Sequence, residues 1–504
     1  MFRPARIPAL LECAVSYSVF SRRSVIRSHN MPPDPFLRAH ERRARIFDIS
    51  TGLRPGTIRD QIIRGTLLAT RAFERGVINR SNGLLVVGAG VAGAACATVA
   101  ARLGVPTTLI NDTRIPFGRQ RACTMKRIEP TLYEWPAAHW DQHQYPWRGE
   151  PAALHMAQLI AADLAELWER RLHEEASRGR LRLVFDTVID APPTPLELGY
   201  SVPLITRTAA GVMTHREEVT VGMIVFAHGP GVERDIDTPD ALRSFAFWER
   251  DPLSDASLAS ATVLISGGGD GALQDFLRAV FSPDVLTAHM MLQLDLDAER
   301  YDLYNLDQHA TATFLWWGST RDMHDTELAL HHEVQSIVHR VWRDRRQDIT
   351  QRFNAYRRAE LPEIVLAHPC NHFHRSSLVN RFLTLLVLLW AQDQSLASIK
   401  HLPNAKLVTP VPCPHEPPPD PSRRDGYACY PHAHSVTCYL ATCLAQDAHH
   451  VVFQHDECGL ILLRHGVDAH PPFPELLGED GRIVQQVLPA HLAHDSLVRA
   501  LFAI

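Results

Sequence analysis

The sequence lacks a strong charge of either sign and lacks long apolar runs. Its formal net charge is −5 over 504 residues, which is too weak to draw the whole chain to nucleic acid or to an anionic membrane. The longest apolar run near the C-terminus, Phe382 to Ala391, reaches about half the length of a bilayer-spanning helix. We therefore expect no nucleic-acid partner and no membrane span.

The sequence also lacks a cysteine framework. Its nine cysteines are scattered without a repeated spacing, and a chain of this size does not need disulfides to stabilise its core. We expect free thiols and a reducing, cytoplasmic location. Cys438 and Cys443 have the spacing of one kind of redox pair. On a helix, however, they would only lie on neighbouring faces, so a redox role is not expected.

Acidic residues are nearly absent from residues 1–33, which contain Glu12 among several arginines and serines. That composition resembles an organellar transit peptide. The sequence becomes ordinary protein sequence from Met31 onward, which favours upstream DNA translated from a misplaced start. In either case we exclude residues 1–33 from the folded domains, as a disordered or mis-started leader.

The rest has the composition of a globular protein. Apolar residues make up 45% and charged residues 21% of the chain, and the length suggests two or three packed units. Apolar residues recur at helical spacing from Thr57 to Ile78, which predicts a helix before the first domain.

A glycine-rich turn follows this helix. The apolar run Leu84 to Val87 predicts a buried parallel strand, and residues 92–103 predict a helix of small residues. The first glycine turn between them consists of Gly88, Ala89, Gly90, Val91, Ala92 and Gly93. Backbone amides and a helix N-terminus at such a turn bind a dinucleotide pyrophosphate, and a side chain there would hold the backbone away. We therefore predict a nucleotide cofactor at this turn.

The next predicted strand, Thr107 to Ile110, is followed by Asn111 rather than by the acid that normally accepts hydrogen bonds from the adenosine ribose. Asn111 can still accept one, and Asp112 would replace it if the register shifted. Arg119 is a candidate for contact with phosphate, as are the nearby Arg114 and Arg121. This part of the sequence leaves FAD, NAD and NADP open as the bound cofactor.

A second strand–glycine–helix pattern opens at Thr262. The second glycine turn consists of Gly267, Gly268, Gly269, Asp270, Gly271 and Ala272. Between the two patterns, an amphipathic helix is predicted from Met156 to Ala176. Strand-like stretches at residues 181–189, 201–208 and 218–227 then predict a β meander.

With these motifs the chain resembles the flavoproteins with two dinucleotide-binding domains, such as the thioredoxin reductase-like and flavin monooxygenase-like families. The resemblance covers residues 84–300 and implies FAD at the first glycine turn and NADH or NADPH at the second. Residues 224–229 resemble the strand that ends in Ala-Thr-Gly and returns to the FAD domain in these families. Here His228 replaces the threonine and Gly229 follows it.

The implied fold class is α/β, with a Rossmann-like FAD-binding domain that contains the β meander and an inserted second Rossmann-like domain. A helical and mixed C-terminal region follows. The expected boundaries are 34–80 for a helical lead-in, 81–255 for the FAD-binding domain, 256–325 for the second dinucleotide-binding domain, 326–408 for a helical region, 409–426 for a proline-rich linker and 427–504 for an α/β tail.

Three features depart from these families. The glycine-aspartate motif that usually closes the flavin ribityl site is not found in the expected place, since residues 478–480 are poorly positioned. The expected strand end after the second glycine turn, residues 287–290, has no arginines to bind a 2′-phosphate. The second site is therefore expected to prefer NADH or to bind nothing. No Cys-x-x-Cys follows the second turn, which argues against a dithiol relay.

Histidine is frequent, at 28 residues. Two groups combine histidine with cysteine, namely His368, Cys370, His372 and His374, and Cys429, His432 and His434. Neither spacing matches a closed zinc pattern. A surface loop is therefore the favoured interpretation of both groups, and no metal site is predicted.

We expect an FAD-dependent oxidoreductase that accepts hydride from NADH or NADPH and passes electrons to a small molecule or to oxygen. Aromatic residues between Tyr133 and Trp147 either stack on the flavin or pack a proline-rich loop. His139 and His228 are the candidates for proton transfer. A sensor or scaffold with degenerate nucleotide sites is one alternative, favoured by Asn111, and an NAD-dependent enzyme without flavin is another.

Overall fold

The structure is a computed structural model of the chain. It describes residues 34–50, 58–124, 126–128, 154, 159–208, 211–229, 231–233, 246–248, 253, 262–282, 296, 299, 302–303, 305–306, 320–373, 376–412, 436–442 and 458–468. These residues all belong to one unit, residues 34–504. The predicted leader and the aromatic segment that contains His139 lie outside the described residues.

The first half of the chain forms a six-stranded sheet. Its strands are β1 (Glu41–Arg43), β2 (Ile46–Asp48), β3 (Leu84–Val87), β4 (Thr107–Ile110), β7 (Leu181–Val184) and β12 (Met223–Phe226). The order across the sheet is β1-β2-β12-β3-β4-β7. Every neighbouring pair is parallel except β1 with β2. The ends of β2, β12, β3 and β4 therefore meet at one carboxyl edge.

Helices cover this sheet. They are α1 (Pro35–His40), α2 (Ile58–Glu74), α3 (Val91–Arg102), α4 (Gly118–Ala122) and α5 (Ala161–Ser177). Helix α3 is buried from Val91 to Ala101 because most of its side chains are small. A Cβ at Gly65 of α2 would lie 2.2 Å from the carbonyl oxygen of Ala92, so α2 and α3 pack backbone against backbone.

The predicted β meander is present, although residues 181–184 and 223–226 of its predicted stretches belong to the first sheet as β7 and β12. It consists of β8 (Thr187–Ile189), β9 (Thr194–Leu196), β10 (Gly199–Arg207) and β11 (Met213–Val221), all paired antiparallel through β10. Its apolar face, which includes Val202 and Leu204, packs on Leu85 and Phe226 of the first sheet. Two short strands, β5 (Arg127–Ile128) and β6 (Leu159–Ile160), pair separately.

The second half of the chain forms a four-stranded parallel sheet. Its strands are β14 (Thr262–Ser266), β15 (Glu363–His368), β16 (Ile399–Pro403) and β19 (Cys458–Leu463), in the order β16-β15-β14-β19. Its helices are α6 (Asp270–Val280), α7 (Thr320–Tyr356) and α8 (Leu378–Asp393). Helix α7 is interrupted at Arg345, whose φ of −132° and ψ of 19° leave the helical region.

This sheet is assembled from more distant segments than the sequence indicated. Residues 326–408 were expected to be helical but contribute β15 and β16, and the expected tail, 427–504, contributes β19. Strands buried on both faces have no alternating pattern, which is why residues 364–367 were not recognised beside the periodic helix α7. The strands of this sheet therefore come from segments that are far apart in the sequence.

The expected proline-rich linker also begins differently. Residues 409–412 belong to β17 (Ala405–Pro412), which pairs antiparallel with β18 (Val436–Thr442). The pairing is irregular between Val408 and Val411. A two-stranded pair tolerates proline because each strand has a free edge.

A short antiparallel pair links the two halves. It consists of β13 (Val232–Glu233), where the chain leaves the first half, and β20 (Val467–Asp468), which follows β19. None of the helices in the described part of the chain has both the length and the apolar composition needed to cross a membrane. The apolar run near residue 382 lies in α8, which packs in the core of the second half.

A buried ion pair joins α7 to α8. Arg381 is fully buried, and its guanidinium Nη2 donates to the carboxylate of Glu327, which is 3% exposed. Its Nε also donates to the carbonyl oxygen of Ser376 at 3.1 Å. The pair fixes how the interrupted helix lies against α8.

We expect Arg381→Leu to lower the free energy of unfolding by about 3 to 5 kcal/mol, because it leaves the Glu327 carboxylate buried without its cation. The double variant Arg381→Leu/Glu327→Leu should recover part of that loss. Chemical denaturation of the wild type and the two variants measures both effects. Equal stability of the single and the double variant would contradict the expectation.

Candidate functional site

The first glycine turn brings three backbones together at the carboxyl edge of the first sheet. Gly88 has a φ of +106°, and a Cβ there would lie 2.4 Å from the carbonyl oxygen of Ala227. A Cβ at Gly93 would lie 2.0 Å from the carbonyl oxygen of Gly88. Neither position accepts a side chain, so the turn can pass closely between the end of β12 and the start of α3.

Gly90 is different, because it faces open space. It is the N-cap of α3, with a φ of −76° and a ψ of −177°, and a Cβ there would lie within 4 Å of none of the described residues. The first amides of α3 point out of this end without helical acceptors and at the positive end of the helix dipole. The space and the donors fit a pyrophosphate, which is the group predicted for this turn.

The segment that follows β4 holds the turn in place. The amide of Ala89 donates to Asn111 Oδ1 at 2.9 Å, and the amide of Phe117 donates to the carbonyl oxygen of Ala89 at 3.0 Å. Asn111 Nδ2 in turn donates to the carbonyl oxygen of Thr113 at 3.0 Å. Phe117 adopts a left-handed φ of 55° while its ring is buried near Trp168, which is strain that the surrounding packing must offset.

These contacts give Asn111 a structural role at the turn. Its oxygen already accepts one hydrogen bond from Ala89, and one lone pair remains for the predicted ribose contact. Asp112 is exposed, and so is Arg119. The guanidinium of Arg119 donates to the carbonyl oxygen of Gly231, which ties α4 to the segment that leaves the first half.

Sequence reasoning missed two residues of this edge, Asp48 and Ser50. Strand β2 lies beside β12, so the residues that follow it face His228. Ser50 Oγ lies 2.8 Å from His228 Nδ1 and accepts the backbone amide of His228 at 3.0 Å. Asp48 Oδ1 accepts the amide of Ser50 at 2.9 Å. The apolar residues 46–47 before an acid were a signal, but they are remote in sequence from the first glycine turn.

Burial sets the charge of His228. Burial lowers the pKa of His228 below its ordinary value, and the Asp48 carboxylate offsets only part of this effect. The imidazole is therefore neutral at neutral pH. Gly229 follows it with a φ of +85°, a left-handed conformation in which glycine avoids strain.

The second glycine turn repeats the backbone contact of the first. Gly267 has a φ of +145°, and a Cβ there would lie 2.4 Å from the carbonyl oxygen of Arg464. Gly269 is the N-cap of α6, and the small, buried Gly268 and Ala272 complete the close packing. A Cβ at Gly271 would lie 3.2 Å from both Arg464 and Phe247.

Asp270 is engaged within the protein. Its Oδ1 accepts the backbone amide of Ser377 at 2.7 Å and the side-chain amide of Asn380 at 2.6 Å. The carboxylate therefore binds the first turn of α8 and joins it to α6. This contact gives Asp270 a structural role beside its predicted place in the second nucleotide site.

The predicted strand end at residues 287–290 lies outside the described residues. Among the described strands, the neighbours of β14 are β15 and β19. The amide of Gly267 donates to the carbonyl oxygen of Ala367, just as the amide of Gly88 donates to the carbonyl oxygen of Ile110. His368 therefore occupies in the second half the place that Asn111 occupies in the first.

The histidines near this strand end are buried, which corrects the surface-loop interpretation. His368 and His372 are each 1% exposed. They pack with Phe373, with His331 of α7 and with His401 of β16, and the Nε2 atoms of His368 and His401 lie 2.8 Å apart.

Burial lowers the pKa of His331 to about 3 and that of His401 to about 4. Both rings are therefore neutral. No group of three metal-ligating side chains occurs among the described residues, while His374 and the group near Cys429 lie outside them.

The ends of β12 and β19 have related sequences and related contacts. Residues 226–229 read Phe-Ala-His-Gly and residues 463–466 read Leu-Arg-His-Gly. The amide of Ala227 donates to Val87, and that of Arg464 donates to Ser266, both at 2.8 Å. His465 Nε2 lies 2.8 Å from Ser266 Oγ. Each glycine turn is thus completed by a strand that ends in His-Gly.

A buried charge cluster lies where the two halves meet. Asp275 of α6 binds Lys126 Nζ at 3.1 Å and Arg464 Nε at 2.7 Å. Arg464 also reaches Glu233 at 3.3 Å, and Lys126 Nζ lies 3.5 Å from the ring centroid of Phe247. Burial alone would raise the pKa of Asp275, but Lys126 and Arg464 outweigh it and hold that pKa below its ordinary value.

Lys126 should make stability depend on pH. Burial lowers its pKa from 10.5 to about 8, although Asp275 acts to raise it. Between these values the unfolded chain binds a proton that the folded protein does not, so this group makes the free energy of unfolding rise with pH. The increase in the free energy of unfolding from this group approaches about 1.4 kcal/mol per pH unit. Lys126→Met should remove this contribution.

Urea denaturation of the wild type and of Lys126→Met across this pH range measures the difference. The variant Lys400→Met serves as a control for the loss of a lysine, since the half-buried Lys400 pairs with Glu363 in the second sheet, away from this cluster. Parallel pH profiles for the wild type and Lys126→Met would contradict the expectation.

No protein-family model matches the chain, and no curated protein matches it. Among solved structures it is similar to the bacillithiol disulfide reductase Bdr (YpdA) from Bacillus cereus, with 10% identity, a TM-score of 0.38 and coverage of 76% of this chain and 78% of that chain. It is similar to the thioredoxin reductase of Lactococcus lactis, with 11% identity, a TM-score of 0.35 and coverage of 80% and 82%. It is also similar to DfoA from Erwinia amylovora, a cadaverine monooxygenase bound to FAD, with 9% identity, a TM-score of 0.41 and coverage of 78% and 79%.

Similarities at this level carry no argument about activity. The strand orders and the two glycine turns establish the fold by themselves. The described part of the chain is an α/β fold with two sheets, one mostly parallel and one wholly parallel. Each sheet contains a strand followed by a glycine turn and a helix, as the resemblance to flavoproteins with two dinucleotide-binding domains implies.

Proposed function

We propose that this protein is an FAD-dependent oxidoreductase, with the FAD pyrophosphate at the first glycine turn. The observation that carries this proposal is the contrast within that turn. At Gly88 and Gly93 neighbouring backbone occupies the space that a side chain would need, whereas Gly90 faces open space at the N-terminus of α3. A turn that only reversed the chain would not need glycine at an N-cap position where a side chain would fit.

Residues of the carboxyl edge have different roles in binding the cofactor. The amides of Val91 and Ala92 bind phosphate oxygens, and Asn111 holds Ala89 so that these amides keep their direction. Asp48 ends β2 beside β12, and its carboxylate is held by Arg42 at 3.3 Å and by the Ser50 amide at 2.9 Å. FAD, when bound, supplies the hydride acceptor and the electron donor.

The second glycine turn is the proposed site of the nicotinamide nucleotide that reduces the flavin. Its N-cap, Gly269, offers the same backbone donors at the start of α6. The residue at the ribose position is His368, a buried imidazole beside the neutral His401. Because the neutral His401 beside it supplies no cation for a 2′-phosphate, NADH is the proposed reductant rather than NADPH.

The alternative is a sensor or scaffold that binds nucleotide without turnover. The specific observation in its favour is that Asn111 and Asp270, two predicted ligand residues, are engaged by protein partners. The two proposals differ in whether bound flavin is reduced. His139 stays a proposed proton donor outside the described residues.

Purified full-length protein should be yellow, and its flavin absorbance should bleach under anaerobic conditions when NADH is added. Bleaching should be at least about tenfold slower with NADPH at equal concentration, because the neutral His401 beside His368 does not stabilise a 2′-phosphate. Bound flavin that neither nucleotide bleaches would favour the sensor. A colourless protein that binds no added FAD would exclude the FAD-dependent oxidoreductase.

Gly90→Ala and Gly93→Ala should separate binding from folding. A Cβ at Gly90 would meet none of the described residues but would enter the proposed phosphate space, so FAD binding should weaken at least about tenfold while the unfolding free energy changes by less than about 1 kcal/mol. Gly93→Ala should destabilise the protein by about 3 kcal/mol, because its Cβ overlaps the carbonyl oxygen of Gly88.

Flavin fluorescence titration and thermal denaturation measure the two quantities for both variants. If Gly90→Ala bound FAD as tightly as the wild type, the first glycine turn would not be the pyrophosphate site.

A further inference from the structure

The hydroxyl of Ser50 determines which nitrogen of His228 carries the proton. Ser50 is 5% exposed, and its Oγ already accepts the backbone amide of His228. Among the described residues, the nitrogen His228 Nδ1, at 2.8 Å, is the acceptor available to the Ser50 hydroxyl hydrogen. A buried hydroxyl that donates nowhere would lose free energy. Ser50 therefore donates to Nδ1, and the neutral ring carries its proton on Nε2.

The second half of the chain provides an internal comparison. In that half Ser266 binds the Nε2 atom of His465, not the Nδ1 atom. Ser266 is also the last residue of β14, whereas Ser50 comes from a separate strand, β2. The ring nitrogen that does not contact the serine is therefore Nε2 in His228 and Nδ1 in His465. In His228 this nitrogen carries the proton.

His228 lies directly beside the first glycine turn. Its backbone nitrogen is 3.1 Å from the position that a Cβ of Gly88 would occupy. The ring is only partly covered, and Nε2 has no hydrogen-bond partner among the residues that the structure describes. An oriented donor at a dinucleotide-binding edge can bind an oxygen atom of the ligand.

We propose that Ser50 holds His228 as an Nε2–H donor, and that this donor binds an oxygen of the phosphate–polyol chain of the dinucleotide at the first glycine turn. This inference rests on the proposed function for the nature of the ligand. His228 is a ligand-binding residue, and Ser50 is a positioning residue that acts through it. Asp48 keeps Ser50 in place through the amide of Ser50.

The first test concerns the proton and needs no ligand. In the full-length apoprotein, the difference between the histidine ring spectra of the wild type and of His228→Phe identifies the nitrogen signals of His228 in ¹⁵N NMR. We expect the proton on Nε2 in the wild type and in Ser50→Thr. In Ser50→Ala we expect a mixture of tautomers. A proton on Nδ1 in the wild type would overturn the role of Ser50.

The second test measures FAD affinity by fluorescence titration. His228→Phe should bind FAD about tenfold more weakly, and Ser50→Ala should weaken binding about threefold or more, with Ser50→Thr close to the wild type. Ser266→Ala is the matched control, since it removes the equivalent hydroxyl beside His465, and it should leave FAD affinity within about twofold of the wild type.

The outcomes separate this inference from the proposed function. If the wild type binds no FAD, the proposed function fails, while the tautomer measurement still decides the role of Ser50. If the wild type binds FAD and His228→Phe binds it equally well, the proposed function stands and the contact through Nε2 is excluded. Loss of affinity in Ser266→Ala as large as in Ser50→Ala would show a general effect on folding and would overturn the assignment.

Discussion

The close approach of a glycine turn to the end of a neighbouring strand is the constraint on which both halves of this protein depend. At Gly88 the backbone passes so near Ala227 that no side chain fits, and at Gly267 it passes equally near Arg464. Because each turn is in contact with the strand beside it, the following helix starts at a fixed place over the sheet edge. The first amides of the helix thereby point out over that edge.

The two halves differ in what surrounds this common contact. In the first half, Asn111, Ser50 and His228 form a polar edge around the turn, and the N-cap glycine faces open space. In the second half, Arg464 carries its guanidinium into the buried cluster with Asp275 and Lys126, and Phe247 packs against Gly271. The second turn is thus linked to the first half through charge, because Lys126 belongs to the segment between α4 and β5.

Local patterns predicted much of the first half. Small residues at Gly88, Gly90 and Gly93, an apolar run before them and a periodic helix after them indicated the βαβ unit, since each of these signals lies within a few residues of the next. Distant segments were harder to place. Strand β15 follows an intervening segment that includes α7, and β19 lies almost at the end of the chain, so neither their pairing with β14 nor the role of His368 was visible in a local window.

By itself, the sequence determined the two glycine turns, the strands and helices beside them, and the β meander, because backbone sterics and periodic apolar spacing act between neighbouring residues. Only the tertiary structure decided which residues complete each turn. Ser50 meets His228 across a sheet, and Asp275 meets Lys126 across the boundary between the halves. These pairs are separated by more than a hundred residues. Their contact follows from strand order and burial, which no single segment encodes.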